Sequence, residues 1–363
     1  MRKSLKNIHL WLSIPTGILI SVICLSGAAL VFERDITQAL NPHLYRTEKP
    51  QEGKFLKPSE LVRHIERQIP DPLTLASLQI PGTPDGVCMA SFKETGKKTL
   101  SVNPYTGEIN GWTENHPFFQ TMRKLHRWLM DPPPQKGEKS VGKIIVGTST
   151  LLMAIILITG LAIWIPRTRK SLKNRLRVSC TKGWRRFWYD SHVSLGFYAT
   201  LFLLVMALTG LTWSFGWYRN AAYSLFGGQD TSKSHGEKRQ KEKDSATTDF
   251  KVWDQVYTRL LTHYPEHKTI TLSAGEAQVD PYPASSMRKN DRIQFDPRNG
   301  EIKKIIPYSQ TPRSQTLKGW FYAFHTGSWG GMTTKILYFL VALIGGTLPL
   351  SGYYLWIRRK FYK

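Results

Sequence analysis

Leu10–Phe32 reads LWLSIPTGILISVICLSGAALVF, twenty-three residues without a charge. As a helix, such a run crosses a hydrocarbon core, which takes about 20 apolar residues. Three more runs match it: Ile144–Ile165, Val193–Trp217 and Ile336–Ile357, of 22, 25 and 22 residues. A soluble globular protein is excluded. So is a bare bundle of membrane helices, because 111 residues separate the first two runs and 118 the last two. The sequence therefore predicts an integral membrane, α-helical protein with spans at 10–32, 144–165, 193–217 and 336–357. Two small α+β external domains (33–143 and 218–335), a basic loop (166–192) and short tails (1–9 and 358–363) complete it.

The chain has 50 Lys+Arg against 26 Asp+Glu, a net charge of +24. An excess of that size can signal nucleic acid, but its placement follows the membrane. Arg2, Lys3 and Lys6 precede the first span, nine basic residues from Arg167 to Arg186 fill the short loop, and Arg358, Arg359, Lys360 and Lys363 close the chain. Short basic loops stay in the cytoplasm. Both termini and the short loop are thus expected inside and both long segments outside, with anionic lipid rather than nucleic acid as the partner of the basic loop. The first run exceeds the roughly 7–15 residues of a signal-peptide core, so Ser26–Ala29 is read as part of a retained anchor. Cys24, Cys88 and Cys180 fall in different compartments, and no disulfide is expected.

The two halves repeat. Ser26-Gly27 follows His9, and Thr209-Gly210 follows His192, each glycine 18 residues after its histidine. Thr159-Gly160 with Trp164 near the end of span two matches Ser351-Gly352 with Trp356 near the end of span four. Outside, Asn103-Pro104-Tyr105-Thr106-Gly107-Glu108-Ile109 matches Asp296-Pro297-Arg298-Asn299-Gly300-Glu301-Ile302. Each half reads span, external domain, span, in the same direction, as in parallel membrane repeats. Pro58-Ser59-Glu60 starts a helix with Ser59 as its expected N-cap. The turn motifs join strands. Gln229–Asp249 reads as an exposed linker and Asp131–Gly137 as a stiffer spacer. His126 precedes Gly160 by 34 residues and His325 precedes Gly352 by 27, so the first spacer is seven residues longer.

Four histidines sit at span ends in repeat-matched pairs: His9 with His192, and His126 with His325. Imidazole is a common axial ligand of haem iron, and ionisable groups at membrane helices mark functional sites. The pattern points to haem ligation, one pair per membrane face. Eighteen residues are five helical turns, so Gly27 shares a face with His9 and Gly210 with His192. Those glycines either make room for flat macrocycles or allow close helix packing. Arg123, Arg127, Arg185 and Arg186 either hold haem propionates or anchor helices at the interface. His263 and His267 flank Pro265 and form no zinc motif, and His43, His64, His116 and His235 are expected at the surface. Without a Cys-x-x-Cys-His motif, any haem is non-covalent, of b type. No Gly-x-Gly-x-x-Gly or P-loop is present.

The two turn motifs resemble the PepSY signature. The order span–PepSY–span, with His9-Leu10-Trp11-Leu12-Ser13-Ile14-Pro15-Thr16-Gly17, Leu125-His126-Arg127-Trp128 and the terminal Ser351-Gly352 to Arg359 block, is similar to the PepSY-associated transmembrane helix family. That family includes inner-membrane ferric-siderophore reductases. The resemblance implies a bacterial inner-membrane protein with two b-type haems. Electrons from a quinol or cytoplasmic reductase would reach a ferric siderophore, or other Fe(III) chelate, in the periplasm. By position, His9 and His192 would ligate one haem iron and His126 and His325 the other. The rival readings are a peptide-binding or protease-regulating PepSY protein, and a siderophore permease. The permease is disfavoured by spans free of Asp, Glu, Lys and Arg.

Overall fold

The computed structural model describes residues 2–48, 53–69, 73–96, 98–134, 138, 140–228, 249–281 and 289–362. In chain order its helices are α1 (Arg2–Val31), α2 (Glu33–Leu40), α3 (Pro58–Gln68), α4 (Pro117–Trp128), α5 (Val141–Trp164) and α6 (Arg169–Arg175). There follow α7 (Trp184–Ser214), α8 (Gly216–Leu225), α9 (Phe250–His263), α10 (Arg313–Thr326) and α11 (Gly331–Phe361). The strands are β1 (Leu75–Pro81), β2 (Cys88–Phe92), β3 (Thr99–Val102), β4 (Ile109–Thr113), β5 (Thr269–Ser273), β6 (Glu276–Asp280), β7 (Asp291–Phe295) and β8 (Ile302–Ile306). The chain forms two compact units.

The first unit holds the chain up to Glu33, His116–Gly228, and the chain from Leu317. Four of its helices, α1, α5, α7 and α11, are long and apolar enough to cross a membrane. They pack in cyclic order, α1 against α5 and α11, and α7 against the same two. Ile20 and Cys24 of α1, Met153 and Leu157 of α5, Ala199 and Leu203 of α7, and Val341 of α11 form the shared core. Large apolar side chains such as Ile18, Ile158, Leu201 and Leu340 point outward, as a lipid-facing surface requires.

The helices exceed the charge-free runs that announce them. His9 and His192 therefore lie inside α1 and α7 rather than at their first residues, and α7 ends at Ser214, with Trp217 in α8. Asp190 shows how a carboxylate is accommodated: it is buried and accepts from Arg186 Nε at 2.8 Å, one turn earlier.

The long spacer after α4 reverses direction at Leu129 and Met130, both left-handed (φ 48° and 69°). Asp131 then accepts the Gly142 N–H at 2.8 Å. Gly142 abuts the Trp128 carbonyl, which a Cβ would meet at 1.8 Å. The extra length is thus pinned at its base, and α4 stays packed on α1 and α5. Residues 135–137 of that spacer, and 229–248 of the expected linker with His235, lie outside the described residues.

The second unit spans 34–115 and 229–316. In place of two separate small domains it has one eight-stranded antiparallel sheet, ordered β4-β3-β2-β1-β5-β6-β7-β8. The join is the β1–β5 pair, in which Leu78 faces Leu272 and Ile80 faces Ile270. The reason is physical: each four-stranded half has an unpaired edge at its first strand, and pairing the edges satisfies both rows of backbone groups. One core serves both halves. Leu61, Val62 and Ile65 of α3 and Trp253, Val256 and Leu260 of α9 cover the same sheet face as Leu78, Ile80, Ile270 and Leu272.

The matching turns adopt matching geometry. Asn103 Oδ1 accepts from Tyr105 N and Asp296 Oδ1 from Arg298 N, both at 2.9 Å. Gly107 and Gly300 follow in left-handed backbone (φ 74° and 67°). Ser59 does not cap α3. Pro58 takes the first helical position, Lys57 becomes the cap residue, and Ser59 donates from N and Oγ to the Asp254 carboxylate of α9 at 2.8 and 2.5 Å.

Candidate functional site

Each of the four span-end histidines makes the same contact in the first unit. His9 of α1 places Nδ1 3.0 Å from the Ile156 carbonyl of α5. His126 of α4 reaches the Ile23 carbonyl of α1 at 2.8 Å. His192 of α7 reaches the Leu348 carbonyl of α11 at 3.1 Å, and His325 of α10 the Met206 carbonyl of α7 at 2.9 Å. A carbonyl oxygen only accepts, so each Nδ1 carries the proton and each Nε2 is left as a bare lone pair. Metal-ligating histidines are held in this way, with the second ring nitrogen on a backbone carbonyl.

The sequence that receives each ring is also constant. The accepting carbonyl lies three residues before a Ser or Thr and four before a Gly: Thr159-Gly160, Ser26-Gly27, Ser351-Gly352 and Thr209-Gly210. In an α-helix the carbonyl of residue i points toward residue i+4, so a side chain there would screen it. A Cβ at Gly27, Gly160, Gly210 or Gly352 would meet the histidine Cε1 at 2.8, 3.0, 3.1 or 3.4 Å. Three hydroxyls add a contact to Nδ1: Ser351 Oγ at 2.8 Å from His192, and Thr159 and Thr209 Oγ1 at 3.3 Å from His9 and His325.

The structure brings His126 and His325 together, their ring centroids 6.0 Å apart and their planes inclined at 51°. His325 packs edge-on against Trp213 at 5.3 Å. Burial pushes His325 down to about 4, helped by His126 beside it. Burial likewise lowers His126, the Ile23 hydrogen bond pulling upward and Arg127 adding to the fall. Burial thus favours the neutral form of both rings.

Gly27 and Gly210, expected to clear space for a macrocycle or for helix packing, stand against the imidazoles of His126 and His325. Of the arginines, Arg123 is ion-paired with Glu33 and Arg186 with Asp190, Arg127 lies 4.5 Å over the Trp128 ring, and Arg185 is exposed. Gly160 and Gly352 were visible in the sequence only as repeat markers or helix-packing glycines, and the Ser/Thr residues only as repeat markers. Their signal as site residues was the recurrence of Ser/Thr-Gly in all four spans.

The other histidines differ. His116 lies exposed at the surface, as expected, and there caps α4, accepting the Phe118 N–H at 3.2 Å. His64 packs on Gly107. His267 is buried, with Nδ1 3.0 Å from the Tyr264 carbonyl. All three cysteines are free thiols.

A bundle of four apolar helices, with four imidazoles locked onto its backbone carbonyls, defines a multi-pass membrane protein. The chain belongs to the PepSY-associated TM region family, whose profile matches residues 6–359. No curated protein matches it.

Proposed function

We propose that this is a di-haem electron-transfer protein of the bacterial inner membrane. It passes electrons from a cytoplasmic or quinol donor to a ferric siderophore or other Fe(III) chelate in the periplasm. The observation that carries the reading is the set of four imidazoles, each with Nδ1 on a carbonyl and Nε2 bare. Among the described residues no group of three or more His, Cys, Asp or Glu side chains gathers to hold a bare ion. Two imidazoles instead suit a metal that brings four donors of its own, as haem does. His126 and His325 would between them offer two such imidazoles to one haem iron. The His126–His325 separation is 6.0 Å.

The residues that would hold the two groups are His9 with His192, and His126 with His325. Bound haem would supply one-electron Fe(III)/Fe(II) chemistry at each end of the bundle. The protein's part is orientation: the carbonyl contacts fix tautomer and ring plane, and the Ser/Thr-Gly pairs let the rings reach those carbonyls. Arg127 and Arg185 have no carboxylate partner among the described residues, which leaves them for propionates. The basic residues between 167 and 186 and at 358–363 support cytoplasmic termini,. The eight-stranded unit is then periplasmic, and the two halves are parallel repeats. Hard Fe(III) binds oxygen chelators more tightly than Fe(II), so reduction loosens the metal. The test is an absorbance spectrum of the purified protein, reduced with dithionite and then mixed with a ferric chelate. A b-type spectrum that reoxidises on chelate addition is expected. A preparation from haem-replete cells with no Soret band would overturn the proposal.

A further inference from the structure

Between α6 and the first turns of α7 the bundle unit holds a solvent-open cavity of about 390 Å³. Volumes of that order accept small cofactors. Its walls carry Lys170, Arg175 and Arg186, with Ser171, Asn174 and the ring of Tyr189. Two of these cations build the wall. Arg175 donates to the Ile163 and Trp164 carbonyls at the end of α5, and Arg186 holds the buried carboxylate of Asp190. Lys170 is exposed and forms no hydrogen bond or ion pair among the described residues. With three cations against one carboxylate the cavity is positive, it offers hydroxyl and amide donors, and it has an aromatic side. It reaches Val193, the residue after His192.

We infer that this cavity binds the phosphate of a small ring-bearing anion, of the phosphorylated-flavin class. Lys170 and Ser171 take the phosphate, and Tyr189 flanks the ring. Its wall includes Val193, one residue along α7 from His192, and the ligand would be the electron donor for that end of the bundle, an assignment that rests on the function proposed above. A dihydroflavin there gives up two electrons and two protons: the electrons reduce two Fe(III) and the protons pass to water, leaving oxidised flavin. The phosphate chemistry is shared with anionic lipid headgroups, and the two sources separate by experiment.

The probe is flavin mononucleotide, its binding read by equilibrium dialysis against the full-length protein in phosphatidylcholine nanodiscs. Haem is not needed for the reading, so failure of the haem assignment leaves this result standing. Lys170→Glu is expected to weaken binding about tenfold, the loss of one charge-assisted hydrogen bond, while Lys170→Arg retains it. Riboflavin, which lacks the phosphate, is expected to bind more weakly than the mononucleotide. The inference is overturned if the wild type does not bind the mononucleotide, if Lys170→Glu binds it as well as wild type, or if riboflavin binds equally. Displacement of the mononucleotide by phosphatidylglycerol in the disc would assign the cavity to lipid headgroups and overturn the soluble donor.

Discussion

His126 Nδ1 lies 2.8 Å from the Ile23 carbonyl, and Gly27, four residues beyond Ile23, leaves the gap through which the ring arrives. The same relationship recurs at the other three histidines, but with a graded clearance. Cβ distances of 2.8, 3.0, 3.1 and 3.4 Å at Gly27, Gly160, Gly210 and Gly352 order the cost of alanine there. Overpacking a tight core costs about 1–3 kcal/mol. Gly27→Ala is expected near the upper end and Gly352→Ala near or below the lower. Thermal unfolding of the four variants in one detergent reads the series, and a Gly352→Ala protein less stable than Gly27→Ala contradicts it.

The hydroxyls should contribute unequally. Ser351 Oγ is 2.8 Å from His192 Nδ1, while among the described residues the hydrogen bonds of the Ser26 hydroxyl run to carbonyls of its own helix. One intramolecular hydrogen bond contributes about 0.5–1.5 kcal/mol. A double-mutant cycle of Ser351→Ala with His192→Ala is expected to show coupling in that range. The cycle of Ser26→Ala with His126→Ala is expected to show little. Equal coupling in both cycles would remove any special part for Ser351.

On the proposed di-haem reading, the two histidine pairs make separable signals. His126→Ala and His325→Ala should perturb the same haem, leave the second reducible by dithionite, and abolish transfer to external chelate. His9→Ala and His192→Ala should perturb the second. The measurement is a low-temperature absorbance or electron paramagnetic resonance spectrum of each variant. If His9→Ala and His325→Ala change the same signal, the pairing is wrong. A macrocycle cannot bridge the roughly 30 Å between the two ends of the bundle.

The spans were legible in the sequence because burial in lipid removes charge from a whole stretch, as in Leu10–Phe32. The turns at Asn103–Gly107 and Asp296–Gly300 were legible for a local reason too: an Asx acceptor and a left-handed glycine lie within five residues. The histidine contacts were not, because each joins residues far apart in sequence, 103 positions for His126 and Ile23 and 156 for His192 and Leu348. The pairing of Leu78 with Leu272 was not legible either, because their strands lie in different halves of the chain. Ser59 misled because a Ser beside the start of a helix reads as a cap, and nothing local reveals Asp254.

The joining of β1 to β5 predicts cooperativity between the halves of the sheet unit. Trp253 on α9 is 1 % exposed and packs in the core that also holds Leu61 and Leu78 from the first half. Trp→Ala at such a site costs about 3–5 kcal/mol. If the halves were independent domains, Trp253→Ala would loosen only β5 to β8. With one continuous sheet, β2 and β3 lose protection as well, because their opening free energy is set by the unit to which they belong. Hydrogen-exchange mass spectrometry of the full-length protein reads this directly, with Leu100 and Val102 as reporters of the first half. Accelerated exchange across Thr99–Val102 in Trp253→Ala is expected, and unchanged exchange there would mean that the two halves unfold separately despite sharing a sheet.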